Sequence, residues 1–319
     1  MNKRQPEVAV LVPCYNEEAT VGTVVSDFKK VLPQAVIHVF DNNSKDKTSE
    51  LARKAGATVH FVGYRGKGNV VRRMFADIDA DIYVMVDGDA TYDAPSAPKL
   101  IKMLIDGNLD MVVGSRVEES TDNNNYRPGH RLGNKILTGS VSRIFGGEFT
   151  DMLSGYRVFS RRFAKSFTAD SQGFETETEL TVHALEMRAP YAEAATPYFE
   201  RPEGSESKLS TYKDGVKIVK MILRLYSNER PLQFWGIIGS AFLIVAIAVV
   251  VPIIINYLNT DTVPRFPTLI LASAIGISGL LFMVIGLVLR TVTRGRREAK
   301  HLAYLSVPSV QNYLNIDAK

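Results

Sequence analysis

Cysteine is almost absent: the 319 residues contain one, Cys14. No intramolecular disulfide can form and no cysteine-based zinc cluster can be assembled, which fits a reducing, cytoplasmic setting. The N-terminal segment has basic residues but no long apolar run and no small-residue cleavage site, so a cleaved leader is not expected. Charge is missing from one long stretch. Between Phe234 and Leu289 the only charged side chains are Asp261 and Arg265. Basic residues gather on either side of it, with Lys213, Lys217, Lys220, Arg224 and Arg230 before and Arg290, Arg294, Arg296, Arg297 and Lys300 after. Basic flanks around two apolar segments are what a membrane hairpin with both ends in the cytoplasm requires. The net charge of +4 therefore needs no nucleic-acid partner to explain it.

The first part of the chain is a strand-helix alternation. Strands are predicted at Val8–Val12, Val36–Phe40, Thr58–Val62, Ile82–Val86 and Met111–Val113, and helices at Glu17–Val31, Thr48–Ala55, Gly66–Ile78, Ala97–Asp106 and Thr176–Arg188. Near-continuous apolar strands in this rhythm predict an α/β fold whose mainly parallel sheet is covered on both faces. Ligands in such sheets sit at the carboxyl ends of the strands, where the polar clusters after Val12, Phe40 and Val86 fall.

Four segments follow from these patterns. Residues 1–211 form the α/β domain. Residues 212–230 place Val216, Val219, Ile222, Leu223 and Tyr226 opposite Lys213, Lys217, Lys220 and Arg224, the pattern of an amphipathic helix lying on a membrane surface. Residues 234–290 form the hairpin, with spans at about 235–258 and 268–289, each long enough to cross a bilayer at roughly 1.5 Å per residue, with Trp235 and Tyr257 near the edges. Residues 291–319 are a polar cytoplasmic tail. Gly276 and Gly279 permit close helix packing within one hairpin or between two, so a homo-oligomer stays open.

Chemistry concentrates at Asp87-Gly88-Asp89, which ends a predicted buried strand. Two carboxylates there cost desolvation unless a cation compensates them. A hard divalent ion such as Mg²⁺ or Mn²⁺ binds one or two carboxylates together with phosphate oxygens, so the pair can clamp a diphosphate; an acidic turn after a strand is the plainer alternative. Asp41 ends the second strand in a polar run that is either a helix-capping turn or a nucleoside contact. Lys67 opens a helix between Gly66 and Gly68, where a phosphate can approach. Arg127, His130 and Arg131 lie in a polar loop and are either solvated or phosphate-binding.

Seven motifs follow one another: Val12 to Glu18, Asp41 to Thr48, Gly66-Lys67-Gly68, Asp87-Gly88-Asp89, Gly114-Ser115-Arg116, Asp151 to Arg157 and Arg201 to Leu209. In this order they resemble the family 2 glycosyltransferases, and most closely the polyprenyl-phosphate branch that includes dolichyl-phosphate mannose synthases and bacterial undecaprenyl-phosphate glucosyltransferases. The resemblance implies a GT-A fold and an inverting hexose transfer from a nucleotide-sugar, UDP-linked rather than GDP-linked, to a polyprenyl phosphate at the cytoplasmic face of the cell membrane. It assigns Pro13, Tyr15, Glu17 and Asp41 to the nucleoside pocket and Asp87 and Asp89 to the metal, with Gly88 and Lys67 in the donor site. Arg201 and Lys208 would hold phosphates, and Arg116, joined by Arg127 and Arg131, would face the lipid phosphate. The sequence departs from many relatives at Thr91, where they carry Gln, which leaves the metal shell open to water at that place.

A lipid phosphate is largely ionised near neutral pH, its second pKa being about 6, so the acceptor needs positioning more than a general base. Asp151 either orients the sugar, orients a basic residue or caps the next segment. Glu177 and Glu179 begin a helix, where the helix dipole alone explains them, or face the sugar. A family 2 enzyme with a hydroxyl acceptor is the second reading, and an inactive nucleotide-binding membrane scaffold is a third from another class.

Overall fold

The computed structural model describes residues 4–118, 138–147, 149–168, 175–202, 211–263 and 265–316. Among these, seven strands form one sheet: β1 (Val8–Cys14), β2 (Val36–Asp41), β3 (Thr58–Phe61), β4 (Ile82–Met85), β5 (Met111–Glu118), β6 (Arg157–Ser160) and β7 (Tyr191–Tyr198). Their spatial order is β3-β2-β1-β4-β6-β5-β7. β1 pairs in parallel with β2 (Ala9 opposite Val36) and with β4 (Val8 opposite Ile82), and β5 pairs in parallel with β7 from Met111 and Tyr191 to Glu118 and Tyr198. β6 alone runs antiparallel, between β4 and β5. The mainly parallel α/β sheet expected from the sequence is present, with this one reversed strand added.

The helices follow from the placement of apolar residues. In α1 (Val21–Val31), Val21, Val24, Val25 and Phe28 fall at helical spacing and are all buried. The helix begins four residues after Glu17, because the carbonyl of Glu17 accepts the N–H of both Thr20 and Val21 in a turn. That turn is tied to the loop after β2: Glu17 N–H donates to Thr48 Oγ1 (2.8 Å) and Asn16 N–H to Ser44 Oγ (2.9 Å). α2 (Thr48–Ala55), α3 (Lys67–Asp77) and α4 (Ala97–Asp106) follow their strands, while α5 (Arg161–Ser166) and α6 (Thr176–Met187) flank β6 and β7. β5 runs past the predicted Val113 to Glu118, which puts Arg116 on a strand paired with Thr196.

The chain divides into two compact units, one of Met1–Val216 with Ala299–Lys319 and the other of Lys217–Glu298. The second holds most of α7 (Thr211–Glu229), all of α8 (Pro231–Thr260) and the greater part of α9 (Phe266–Leu305). Both α8 and α9 are long and apolar enough to cross a membrane, and they extend beyond the expected spans. Gly239 and Gly279 let the two backbones meet, since a Cβ on Gly239 would lie 2.6 Å from the carbonyl oxygen of Gly279. Trp235 stacks on Phe282 at 5.5 Å, whereas Ile244, Leu258, Ile270 and Leu281 are uncovered. At the polar end of this unit Glu229 is ion-paired with Arg296 and Arg297.

From Ala299 onward the chain belongs to the α/β unit. Asp110, fully buried just before β5, accepts from Ser160 Oγ (2.6 Å), from Arg162 Nε (2.6 Å) and Nη2 (2.8 Å), and from the hydroxyl of Tyr304 (2.5 Å). In α10 (Val310–Ile316), Val310 and Leu314 join the main core and the Gln311 amide caps the carbonyl of Ile105. Residues read in the sequence as tail therefore fill part of the core.

Two stability predictions follow. Leu314→Ala should destabilise the α/β unit by about 2–3 kcal/mol, as a buried leucine does, whereas a residue in a solvated tail would change it by less than about 0.5 kcal/mol; thermal unfolding of the detergent-solubilised chain decides between them. His183 is buried, and burial, with Lys300 nearby, lowers its pKa from 6.5 to about 3. The unfolded chain takes up a proton below its own pKa of about 6.5 while the folded one does not. Stability is thus lost as pH falls from 6.5 towards 3, by up to about 1.4 kcal/mol per pH unit. His183→Gln should flatten the dependence of melting temperature on pH between 6.5 and 4.5.

Candidate functional site

β4 is buried along its whole length and delivers Asp87, Gly88 and Asp89 to the carboxyl end of the sheet. Gly88 is required there, because a Cβ would strike the Cys14 sulfur; the Gly88 carbonyl accepts from Thr20 Oγ1 at 2.6 Å. Ala90 then adopts a left-handed conformation (φ 57°), which turns Thr91 back so that its hydroxyl donates to Asp89 Oδ1 at 2.6 Å. Asp89 Oδ2 pairs with Arg201 at 2.7 Å. Burial, together with the neighbouring Asp87 charge, raises the Asp89 pKa above the usual carboxylate value.

Asp87 is held by a lysine. Lys67 at the start of α3 pairs with it and with Glu177 of α6 (2.5 Å). Burial pulls the Lys67 pKa down, but Asp87 and Glu177 outweigh it and hold the ammonium above its ordinary value. The backbone entry to Lys67 is fixed by Gly66 (φ 122°), whose N–H donates to Asn42 Oδ1 at 2.6 Å, while Asn42 Nδ2 donates to the carbonyls of Val62 and Tyr64.

These elements enclose a cleft of about 300 Å³. Pro13, Tyr15 and Glu17 line it from the end of β1, Lys67 from α3, and the Asp87 to Asp89 turn and Arg201 from the opposite wall. Asn42 and Arg65 also line it, and the Arg65 guanidinium lies 5.1 Å from the centre of the Tyr15 ring. Asp41, expected in the nucleoside pocket, is not among the lining residues. Its carboxylate accepts from Ser44 N–H (2.9 Å) and Ser49 Oγ (2.5 Å), a local cap at the end of β2.

Arg116 and Asp151 form a separate bidentate pair, Nε to Oδ2 at 2.6 Å and Nη2 to Oδ1 at 2.7 Å. Burial would raise the Asp151 pKa, but Arg116 reverses the effect and holds it below the usual range. Of the roles weighed for Asp151, the geometry displays the orientation of a basic residue. Arg157, fully buried, braces the segment that follows Asp151: Nη2 donates to the Met152 carbonyl (2.6 Å), Nε to the Ser154 carbonyl (2.9 Å) and Nη1 to Thr181 Oγ1 (2.9 Å). Burial lowers its pKa to about 10, against the opposing influence of Glu177 and Asp151. The segment presents Gly155 to Asp87 so closely that a Cβ would collide with the carboxylate.

The structure thus brings together Pro13, Tyr15, Glu17, Lys67, Asp87, Gly88, Asp89 and Arg201, and sets Arg116 with Asp151. Arg127, Arg131 and Lys208 lie outside the described residues. Sequence reasoning gave Arg65 no role and did not identify Arg157 as a brace. Only the position of Arg65 beside Gly66-Lys67-Gly68 hinted at the first.

The model of the glycosyl transferase family 2 domain matches residues 9–167. The chain is 37% identical over 240 residues to the glycosyltransferase AglJ of Haloferax volcanii, covering 73% of this chain and 77% of that protein. It is 28% identical over 225 residues to a dolichyl-phosphate hexose transferase of the same organism, covering 70% and 96%. Its fold resembles that of glucosyl-3-phosphoglycerate synthase of Mycobacterium tuberculosis, solved with Mn²⁺, UDP and glucosyl-3-phosphoglycerate. The TM-score is 0.57 at 21% identity, over 70% of this chain and 79% of the other. The chain is a hexose-transferring enzyme that belongs to glycosyl transferase family 2.

Proposed function

We propose that the enzyme transfers a hexose from a UDP-sugar to a polyprenyl phosphate at the cytoplasmic face of a membrane, with inversion at the anomeric carbon. The observation that carries this reading is the pair Asp87 and Asp89 at the floor of a cleft whose walls bear Lys67, Arg65 and Arg201. Two carboxylates ringed by cations form a seat for a diphosphate and its counter-ion. The 28% identical dolichyl-phosphate hexose transferase supports a lipid-phosphate acceptor, and the two long apolar helices support a membrane location.

A divalent ion fits this donor set. Both groups offer hard carboxylate oxygens, and burial first, then the neighbouring Asp87 charge, disfavours the ionised form of Asp89, a cost that a bound cation would relieve. Asp87 and Asp89 would hold Mg²⁺ or Mn²⁺, which when bound would offset the charge developing on the leaving diphosphate. The protein's own groups do the rest. Tyr15, Glu17 and Arg65 hold the nucleoside end. Lys67 keeps its proton and fixes the position of Asp87. Arg201 and Lys208 hold donor phosphates, and Arg116, Arg127 and Arg131 receive the acceptor phosphate.

An acceptor phosphate oxygen forms the new bond to the anomeric carbon as the bond to the diphosphate oxygen breaks. No proton moves, because that oxygen is already ionised. The state of the buried acids agrees with this. Asp151 gives both oxygens to Arg116, so it is not poised as the general base that a hydroxyl acceptor needs, and Glu177 gives one oxygen to Lys67.

The deciding experiment measures transfer of radiolabelled sugar into an organic-extractable product, with UDP- and GDP-sugars, undecaprenyl phosphate and Mg²⁺ or Mn²⁺. A product that needs metal, lipid phosphate and one UDP-sugar is expected; nucleotide binding with no product across the panel would defeat the acceptor assignment. Asp89→Ala should lower transfer by at least about a thousandfold, several kcal/mol of transition-state stabilisation, in a folded protein, and retained turnover would remove Asp89 from the metal site. Gly155→Ala should lower transfer on the order of a hundredfold by displacing Asp87, with a melting temperature close to that of the parent.

A further inference from the structure

We propose that Tyr92 is a positioning residue for the transfer: its hydroxyl and its ring join the turn that bears Asp87 and Asp89 to the segment and strand that bear Asp151 and Arg116, and so fix the gap between the leaving diphosphate and the acceptor phosphate. The inference rests on the lipid-phosphate reading above.

Tyr92 comes directly after that turn. Its backbone is held by the end of β7, since Tyr92 and Tyr198 form an antiparallel bridge and Phe199 N–H donates to the Thr91 carbonyl at 2.9 Å. Its side chain reaches Gly155, whose N–H donates to the hydroxyl oxygen at 2.8 Å. Gly155 is the residue packed so closely on Asp87 that a Cβ has no room between them. The bond therefore sets where Gly155 sits against the carboxylate. The segment gripped in this way is tied in turn to β5, because Gly114 N–H donates to the Tyr156 carbonyl at 2.9 Å and Ser154 Oγ to the Gly114 carbonyl at 2.6 Å. Two residues on, Arg116 holds Asp151. The ring makes a second connection. It meets the Tyr198 ring edge-on at 5.3 Å, and the Arg116 guanidinium lies over that same ring, 5.4 Å from its centre.

Packing alone does not call for a tyrosine. A phenylalanine would keep the ring contacts with Tyr156 and Tyr198, but only the hydroxyl gives the buried Gly155 N–H its acceptor. The acceptor must also be neutral. Burial, and next the charge of Asp87, hold the phenol pKa above its ordinary value against the pull of Arg116, so the group keeps its proton. A carboxylate in its place would add a negative charge beside Asp87. Transfer to a phosphate that is already ionised draws on alignment rather than on a base, so a change in this gap acts on the chemical step itself.

The test is steady-state transfer by the full-length protein in detergent, with UDP-sugar, undecaprenyl phosphate and Mn²⁺, alongside thermal melting and UDP binding. Tyr92→Phe should lower kcat by about ten- to a hundredfold, while KM for the UDP-sugar moves by less than about threefold and the melting temperature stays close to that of the parent. Tyr92→para-aminophenylalanine, which restores a polar atom at the end of the ring, should recover part of the lost turnover, and it carries the test if the Phe variant melts early. Tyr92→Phe combined with Gly155→Ala should lose little more than Gly155→Ala alone, since both act through one contact. A Phe variant with kcat within about twofold of the parent, or a loss that multiplies with that of Gly155→Ala, would overturn the role of Tyr92 alone. So would a loss matched by weaker UDP binding, which marks a damaged donor seat. A parent that binds UDP but makes no lipid-linked sugar would overturn the acceptor reading together with this one.

Discussion

Asp87 and Asp89 end a strand with no exposed side chain, and the cost of keeping two carboxylates ionised there dictates what surrounds them. Lys67 stays charged because two acids flank it, and Thr91 and Arg201 take up the oxygens of Asp89. Space is rationed as strictly as charge. Glycine stands at 88 and 155, the two places where a side chain would press on Cys14 or on Asp87. Removing any one of these partners leaves a buried charge without compensation.

Much of the cleft wall is loop, yet its shape is specified. Asn16, Asn43 and Ala90, each just beyond the end of a parallel strand, adopt positive φ values of 54°, 61° and 57°. Such conformations cost non-glycine residues roughly 1–2 kcal/mol, and side-chain bonds between loops offset this. Asn16 Oδ1 accepts from Lys45 N–H, and Thr48 Oγ1 accepts from Glu17 N–H. Arg157 does the same work from inside the domain, using a buried guanidinium to set the segment that carries Asp151 and Gly155. Local strain at the strand ends is thus matched by contacts made across the sheet.

Much of this was legible because it is local. The strand-helix rhythm, the helix at Ala97–Asp106 and the position of Asp87 at a buried strand end all follow from short-range apolar patterns. β6 escaped because four residues beginning with an arginine do not resemble a core strand, and β7 because Tyr-Ala-Glu-Ala-Ala-Thr-Pro-Tyr has little β-forming character. Pro197 is tolerated there since β7 is at the sheet edge. The ion pairs were illegible for a different reason. Arg116 and Asp151 are 35 residues apart, and no pattern within a helix or strand announces that they meet. Motif order assigned many of the site residues, but not which anion each cation would hold.

The return of Ala299–Lys319 to the α/β unit makes the hairpin an insertion within a discontinuous domain. Tyr304, which completes the environment of Asp110, closes the second long helix, and Val310 and Leu314, which fill part of the core, are synthesised after it. On the ribosome the domain must wait, with that part of its interior open, until the apolar helices have emerged. If the two helices enter a membrane, as proposed, their placement can precede closure of the core, and an enzyme that finishes folding only once anchored would have little opportunity to turn over donor sugar away from a lipid acceptor.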